Sequence, residues 1–166
     1  MSRSLIYLLF LMILGIQPTM AQDAKEPTKL VFSIEATSGV NPDDSQRPSP
    51  IKVRIYELKE SGTFSEADYF SLEKTDKTVL AADLLAKDEF ILRPGESKKI
   101  ERKSNPQTTA IGILAGYRDL PNAVWRTVFK LKDAPDAVWY RALIPANRTD
   151  LLIQLQPQGI VLTEKP

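Results

Sequence analysis

Any chemistry in this sequence must come from carboxylates, hydroxyls, amides, lysines and arginines, because its 166 residues include no Cys and no His. That removes the thiol nucleophile, the disulfide framework, the Cys-ligated metal centre and the commonest general base. Asn41, Asp43, Asp44 and Ser45 offer closely spaced oxygen ligands, but the sixth-position glycine and twelfth-position glutamate of a calcium loop are missing. The run reads instead as a solvated or partner-facing loop, and no metal is expected. Asp88 and Glu89 are neighbours in a strand-like run, so they point to opposite faces and cannot flank one bond. A serine here would need a lysine as its base, and neither GxSxG nor GxxxxGK[ST] occurs. No catalytic residue and no cofactor is expected; a hydrolase would require Asp83, Asp88 or Asp119 to gather in one cleft. Trp125, Trp139 and Tyr140 either close the core or form a small-ligand platform, with the core favoured. Arg118-Asp119 reads as a structural pair before the turn at Pro121. Asn147-Arg148-Thr149 matches a glycosylation acceptor pattern of low specificity.

The elements that must position these groups begin after an export signal. Arg3, the apolar run Leu5 to Ile16 and the small-residue site Thr19-Met20-Ala21 predict a signal peptide over 1–21. The apolar run is short of the roughly 20 residues that span a membrane. Residues 22–28, polar with Pro27, predict a flexible tether. With no Cys to carry a lipid, no direct lipid anchor is expected. Lys and Arg number 22 against 21 Asp and Glu, so no basic stripe exists to neutralise phosphates and no nucleic-acid partner is expected.

A single domain over 29–163 follows. Leu30, Phe32, Ile34 and Ala36 alternate with polar residues and predict a first strand; Ile51, Val53 and Ile55, alternating with Lys52, Arg54 and Tyr56, predict a second with the latter three outward. Between them Ser38 to Pro50 is longer than a hairpin needs and poor in core residues. Its prolines 42, 48 and 50 fix φ and stiffen it, which suggests a binding role. A helical insertion is predicted over 63–86: Thr63 and Glu66 form a capping box ahead of a helix from Phe64 to Leu72, and Leu80 and Leu84 mark a second piece over 78–86. Phe90 to Leu92 and Ser97 to Arg102, joined by the Arg93-Pro94-Gly95-Glu96 turn, predict a strand pair. Thr108 to Tyr117 predicts a central strand whose Gly112 and Gly116 admit a close neighbour. Further strands are predicted from Trp125 to Leu131, 137–143, 151–155 and 160–162. These runs argue an all-β, two-sheet β-sandwich with a short helical insertion.

The order and spacing of Asn41-Pro42-Asp43 with Arg47-Pro48-Ser49-Pro50, Arg54-Ile55-Tyr56, Arg93-Pro94-Gly95-Glu96, Tyr117-Arg118-Asp119 and Trp125-Arg126 resemble the TssJ family of type VI secretion proteins. The resemblance covers nearly the whole chain after the signal. It implies a transthyretin-like β-sandwich acting as a scaffold, not an enzyme, in the periplasm. It further implies association with the outer membrane through partners and binding to the periplasmic C-terminal region of TssM within the TssJ–TssL–TssM complex. The family's loop between the first two strands contributes to that contact. Here this loop makes Asn41, Pro42, Asp43, Asp44, Arg47, Pro48 and Pro50 the expected partner-binding residues. The rival expectation is a periplasmic small-ligand-binding sandwich using Trp125, Trp139 and Tyr140.

Overall fold

Period-two patterning becomes eight strands in the computed structural model, which describes residues 25–133 and 147–166. They are β1 (Lys29–Ala36), β2 (Ile51–Leu58), β3 (Leu84–Leu92), β4 (Ser97–Lys103), β5 (Ala110–Ala115), β6 (Arg126–Lys130), β7 (Arg148–Gln156) and β8 (Gly159–Lys165). They form two four-stranded sheets ordered β4-β1-β7-β8 and β3-β2-β5-β6, with β1 and β7 parallel and every other pair antiparallel. The expected signal peptide, the strand expected over 137–143, Trp139 and Tyr140 lie outside the described residues.

The inward faces match the alternation. Leu30, Phe32, Ile34 and Ala36 of β1 pack with Ile51, Val53 and Ile55 of β2, Ile111 and Ile113 of β5, and Leu151, Ile153 and Leu155 of β7. The outer face of β2 does not match: Arg54, Tyr56 and Leu58 are also buried. The cause is the helical insertion, whose α1 (Gly62–Glu66) and α2 (Tyr69–Leu80) lay Phe64, Leu72 and Leu80 on that face and build a second core with Tyr56, Leu58, Ala110 and Leu114. The small residues of β5 make room for it. A Cβ on Gly112 would sit 2.9 Å from Phe64 Cε1, and one on Gly116 would sit 3.0 Å from the Tyr69 hydroxyl.

Helix boundaries differ from expectation for local reasons. The helix expected over 64–72 is broken at Ala67 and Asp68, both extended; Asp68 caps α2 by accepting from the Ser71 amide at 3.0 Å. The Thr63–Glu66 box does not form, and Thr63 Oγ1 instead donates to Asp83 at 3.1 Å. Ala81, at φ +45°, ends α2, so Leu84 opens β3 and the expected helix over 78–86 stops after Leu80 and one 3-10 turn. Two arginines from the sheet hold the helix ends. Arg54 Nη1 donates to the carbonyls of Leu72 (2.8 Å) and Glu73 (2.9 Å), just before a backbone kink at Thr75, and Arg126 Nη1 donates to those of Phe64 (3.0 Å) and Ala67 (2.5 Å).

The expected pairing of β3 with β4 is likewise corrected. Residues 93–96 carry the chain from one sheet to the other: Ala36 donates to the Glu96 carbonyl and Gly95, at φ +79°, donates back to that of Ala36, so the turn docks on the end of β1 rather than closing a hairpin. At the opposite side Val124 bridges the sheets, donating to Gln158 (3.0 Å) and accepting from Ile160 (3.0 Å).

Candidate functional site

One end of the sandwich is formed by the β1–β2 loop, the segment after β5 and the β7–β8 turn. The loop's first part is structural, since Val40 is fully buried in the core, contrary to the expectation that the loop is poor in core contacts. Asn41 follows with a left-handed backbone, φ +49°, a conformation that asparagine tolerates better than most residues. Its side chain joins two segments: Nδ2 donates to the Pro50 carbonyl at 2.9 Å, and Oδ1 accepts from the Arg118 amide at 2.8 Å. The loop mouth is thereby tied to the end of β5.

Asp43 shapes the tip. Its Oδ1 accepts from the amides of Ser45 and Arg47, both at 2.9 Å, and its Oδ2 receives the Arg47 guanidinium at 2.8 Å. The Arg47 amide and guanidinium bonds, aided by the Ser45 amide and the nearby Arg118 charge, hold its carboxyl below the usual range against a small desolvation. Backbone bonds from Asp43 to Arg47 and from Gln46 to Asp43 close the same turn, with Gln46 at φ +61°. The three prolines stiffen a tip that the Asp43 carboxylate folds.

Against this tip lies a cleft of about 320 Å³, lined by Pro42, Asp44, Tyr117, Arg118, Ala123 and Pro157 among others. Tyr117 is buried and donates to the Gln156 carbonyl at 3.0 Å, and burial pushes its hydroxyl pKa up. Val124 and Val161, 57% and 41% exposed, continue the surface past Pro157.

The expected site residues fall into two groups. Asp44, Arg47, Pro48 and Pro50 are exposed and Pro42 and Asp43 half-buried, whereas Asn41 is buried and both ends of its amide are engaged, so it positions the loop rather than presenting itself. Arg118 does not form the expected pair with Asp119: Asp119 receives Asn122 Nδ2 at 2.9 and 3.0 Å, and the Arg118 guanidinium has no hydrogen bond or ion pair among the described residues. Nothing in its local sequence separates it from a structural arginine.

The other candidates do not assemble. Asp83 accepts from Thr63, Asp88 pairs with Arg102 and Asp119 holds Asn122, in three separate places. Ser71 and Lys74, a Ser-x-x-Lys spacing that the sequence reading overlooked, do not meet: the hydroxyl donates to Asp68 at 2.5 Å and the ammonium lies 5.8 Å above the Phe70 ring. No cluster of three or more metal-ligating side chains occurs among the described residues. Trp125 packs edge-on to Tyr69 at 5.4 Å and beneath the Arg126 guanidinium at 4.6 Å, filling the join between the two cores.

Sequence reasoning also missed a buried charge group. Glu57, 1% exposed, pairs with Arg102 at 2.7 Å and accepts from the Asn105 amide and Thr108 hydroxyl, both at 2.8 Å. Arg102 reaches across from the other sheet, stacks over Phe32 and also meets Asp88.

The family model "Type VI secretion lipoprotein, VasD, EvfM, TssJ, VC_A0113" matches residues 28–158. The crystal structure of the T6SS lipoprotein TssJ1 from Pseudomonas aeruginosa is similar at 36% identity and TM-score 0.73, covering 84% of this chain and 98% of that one. Serratia marcescens Lip, a membrane-bound component of the type VI secretion system, is similar at 29% identity and TM-score 0.72, covering 84% and 99%. A chain in a structure described as "Type VI membrane complex" is similar at 25% identity and TM-score 0.66, covering 85% and 100%. No curated protein sequence matches significantly.

Proposed function

Because the chain belongs to the type VI secretion lipoprotein family of VasD, EvfM and TssJ, we propose that it is a non-enzymatic assembly component that binds the periplasmic C-terminal region of TssM. It works on the periplasmic side of the envelope, within the complex that TssM forms with TssL. The contact is the loop end of the sandwich, with Pro42, Asp44, Arg47, Pro48 and Pro50 presented to the partner and Asn41 and Asp43 holding them in place.

The observation that carries this reading is the loop's preorganisation. A tip already folded by Asp43 and fastened by Asn41 loses little conformational entropy on docking, which leaves more of each contact as affinity. A similar chain within a type VI membrane complex supports the same assignment.

The test is calorimetric titration of the full chain with the periplasmic C-terminal region of TssM from the same genome. Saturable binding is expected. Asp43→Lys combined with Arg47→Glu, which removes the acceptor of two loop amides, weakens it by about tenfold or more. Absence of binding by folded wild-type protein overturns the proposal.

A further inference from the structure

Resting on that reading of the loop end, we propose that Arg118 is the specificity-determining cation of the surface and that it receives a carboxylate of the bound TssM segment. The charges around the cleft are unequal in availability. Asp43 is neutralised by Arg47, and Asp119 is occupied by the Asn122 amide. Arg118 and Asp44 are left exposed, with no bond to any described residue from either side chain. Of the two, arginine is the interface residue by type: its weakly hydrated planar fork binds a carboxylate through two parallel hydrogen bonds, whereas an exposed aspartate is strongly hydrated and depleted at interfaces.

The surroundings favour the same choice. Arg118 follows buried Tyr117, and its own amide is pinned by Asn41 Oδ1 at 2.8 Å, so the backbone that carries the guanidinium is fixed before binding. Pro42, Ala123 and Pro157 line the same cleft. A partner backbone laid over these short apolar groups excludes water from the guanidinium and strengthens its bond to a carboxylate. Asn41 thus couples the loop to the arginine, and one buried amide sets the position of both halves of the surface.

The experiment titrates full-length wild type, Arg118→Glu, Arg118→Met and Arg118→Lys with the periplasmic C-terminal region of TssM at low and high salt. Arg118→Glu and Arg118→Met are expected to lose affinity by roughly 30-fold, Arg118→Lys to lose less, and the salt dependence to shrink in the methionine variant. An Asp or Glu of the TssM region changed to Arg should restore binding to Arg118→Glu, which identifies the carboxylate. The unfolding midpoints of the three variants are expected to equal that of wild type. Wild-type binding that persists within about twofold in Arg118→Glu overturns this inference and leaves the proposed function standing. Loss of binding with a lowered midpoint assigns Arg118 to the fold and also overturns it. A wild type that does not bind removes the functional reading and this inference with it.

Discussion

Asn41 is the residue on which the candidate surface depends, and its replacement by alanine makes a quantitative prediction. Three terms contribute. The Pro50 carbonyl loses its donor and the Arg118 amide loses its acceptor, each only partly reachable by water, at about 1 kcal/mol apiece, the low end for a polar group stranded by deletion of its partner. Alanine must also adopt the left-handed backbone at φ +49°, a further cost of about 1 kcal/mol. The whole is about 3 kcal/mol. At a urea dependence of about 2 kcal/mol per molar, this moves the unfolding midpoint down by about 1.5 M. Glycine separates the terms: Asn41→Gly loses the same two hydrogen bonds but not the backbone penalty, so it should recover up to about 1 kcal/mol relative to alanine. The assay is equilibrium urea unfolding of the three proteins, with binding to TssM measured in parallel. An alanine variant within about 0.5 kcal/mol of wild type would refute the double tether, and glycine no better than alanine would refute the backbone term.

Arg54→Met removes the donor for the Leu72 and Glu73 carbonyls and leaves buried Asp76 and half-exposed Glu89 without this cation; stability should fall by about 3 kcal/mol, with early loss of amide protection across α1 and α2 by hydrogen exchange. Gly112→Val places new methyl groups against the Phe64 ring and Leu58, which should cost about 1–3 kcal/mol by urea unfolding; Phe64→Ala introduced into that variant should cost less than it does in wild type, because the clash is relieved. Stability should be flat from about pH 6 to 9, because no His is present, and a step near pH 6.5 would contradict this. Below about pH 4 it should fall. Lys52 holds Glu73 low, Arg148 holds Asp150 low, and at Asp76 burial pushes upward but is outweighed by Lys87, the Lys77 amide and the Tyr56 hydroxyl; all three stabilise above their unfolded pKa values and lose that contribution as pH drops through the lowered folded ones. Above about pH 10 it should fall again, because burial raises Tyr56 and Tyr117 and disfavours the phenolate that the unfolded chain forms freely.

How far the sequence can be read depends on how far each residue's partner lies along the chain. The inward faces of β1 and β5 are legible because alternation is local, and the glycines at 112 and 116 announce a close neighbour on that face, which the structure supplies as Phe64 and Tyr69. Arg54 and Tyr56 read as outward because their polar heads match a solvent face. Their burial depends on Phe64, Leu72 and Leu80, which belong to another periodicity. Glu57 with Arg102 and Asn41 with Arg118 are pairs that no window of sequence contains, and only the closing of the sandwich brings them together. The same holds for the loop tip: its rigidity is legible in three prolines, but the Asp43 clamp that folds it is legible only as two acidic residues in a polar run. The family resemblance drew attention to this loop, yet it could not separate Asn41, which is buried and ties the loop to β5, from Asp44 and Arg47, which are exposed.

The proposed placement of the contact at the loop end also accords with what the rest of the molecule already commits. The outer face of the β3-β2-β5-β6 sheet lies under α1 and α2. One side of the sandwich is crossed by the turn at 93–96, and the other is bridged by Val124. On the outer face of the β4-β1-β7-β8 sheet several charges are already paired, Lys29 and Lys99 with Glu101 and Arg148 with Asp150 through two bonds of 2.6 Å, while Glu35, Lys103 and Lys165 are exposed there with no ion pair among the described residues. A partner that engages the paired charges there would have to separate them first. At the loop end, beside the Asp43–Arg47 pair, Arg118 and Asp44 make no side-chain hydrogen bond or ion pair among the described residues, and the backbone beneath Arg118 is already fixed. A carboxylate bound by Arg118 forms an ion pair without breaking one, and that starting state supports the proposed placement of the contact at this end.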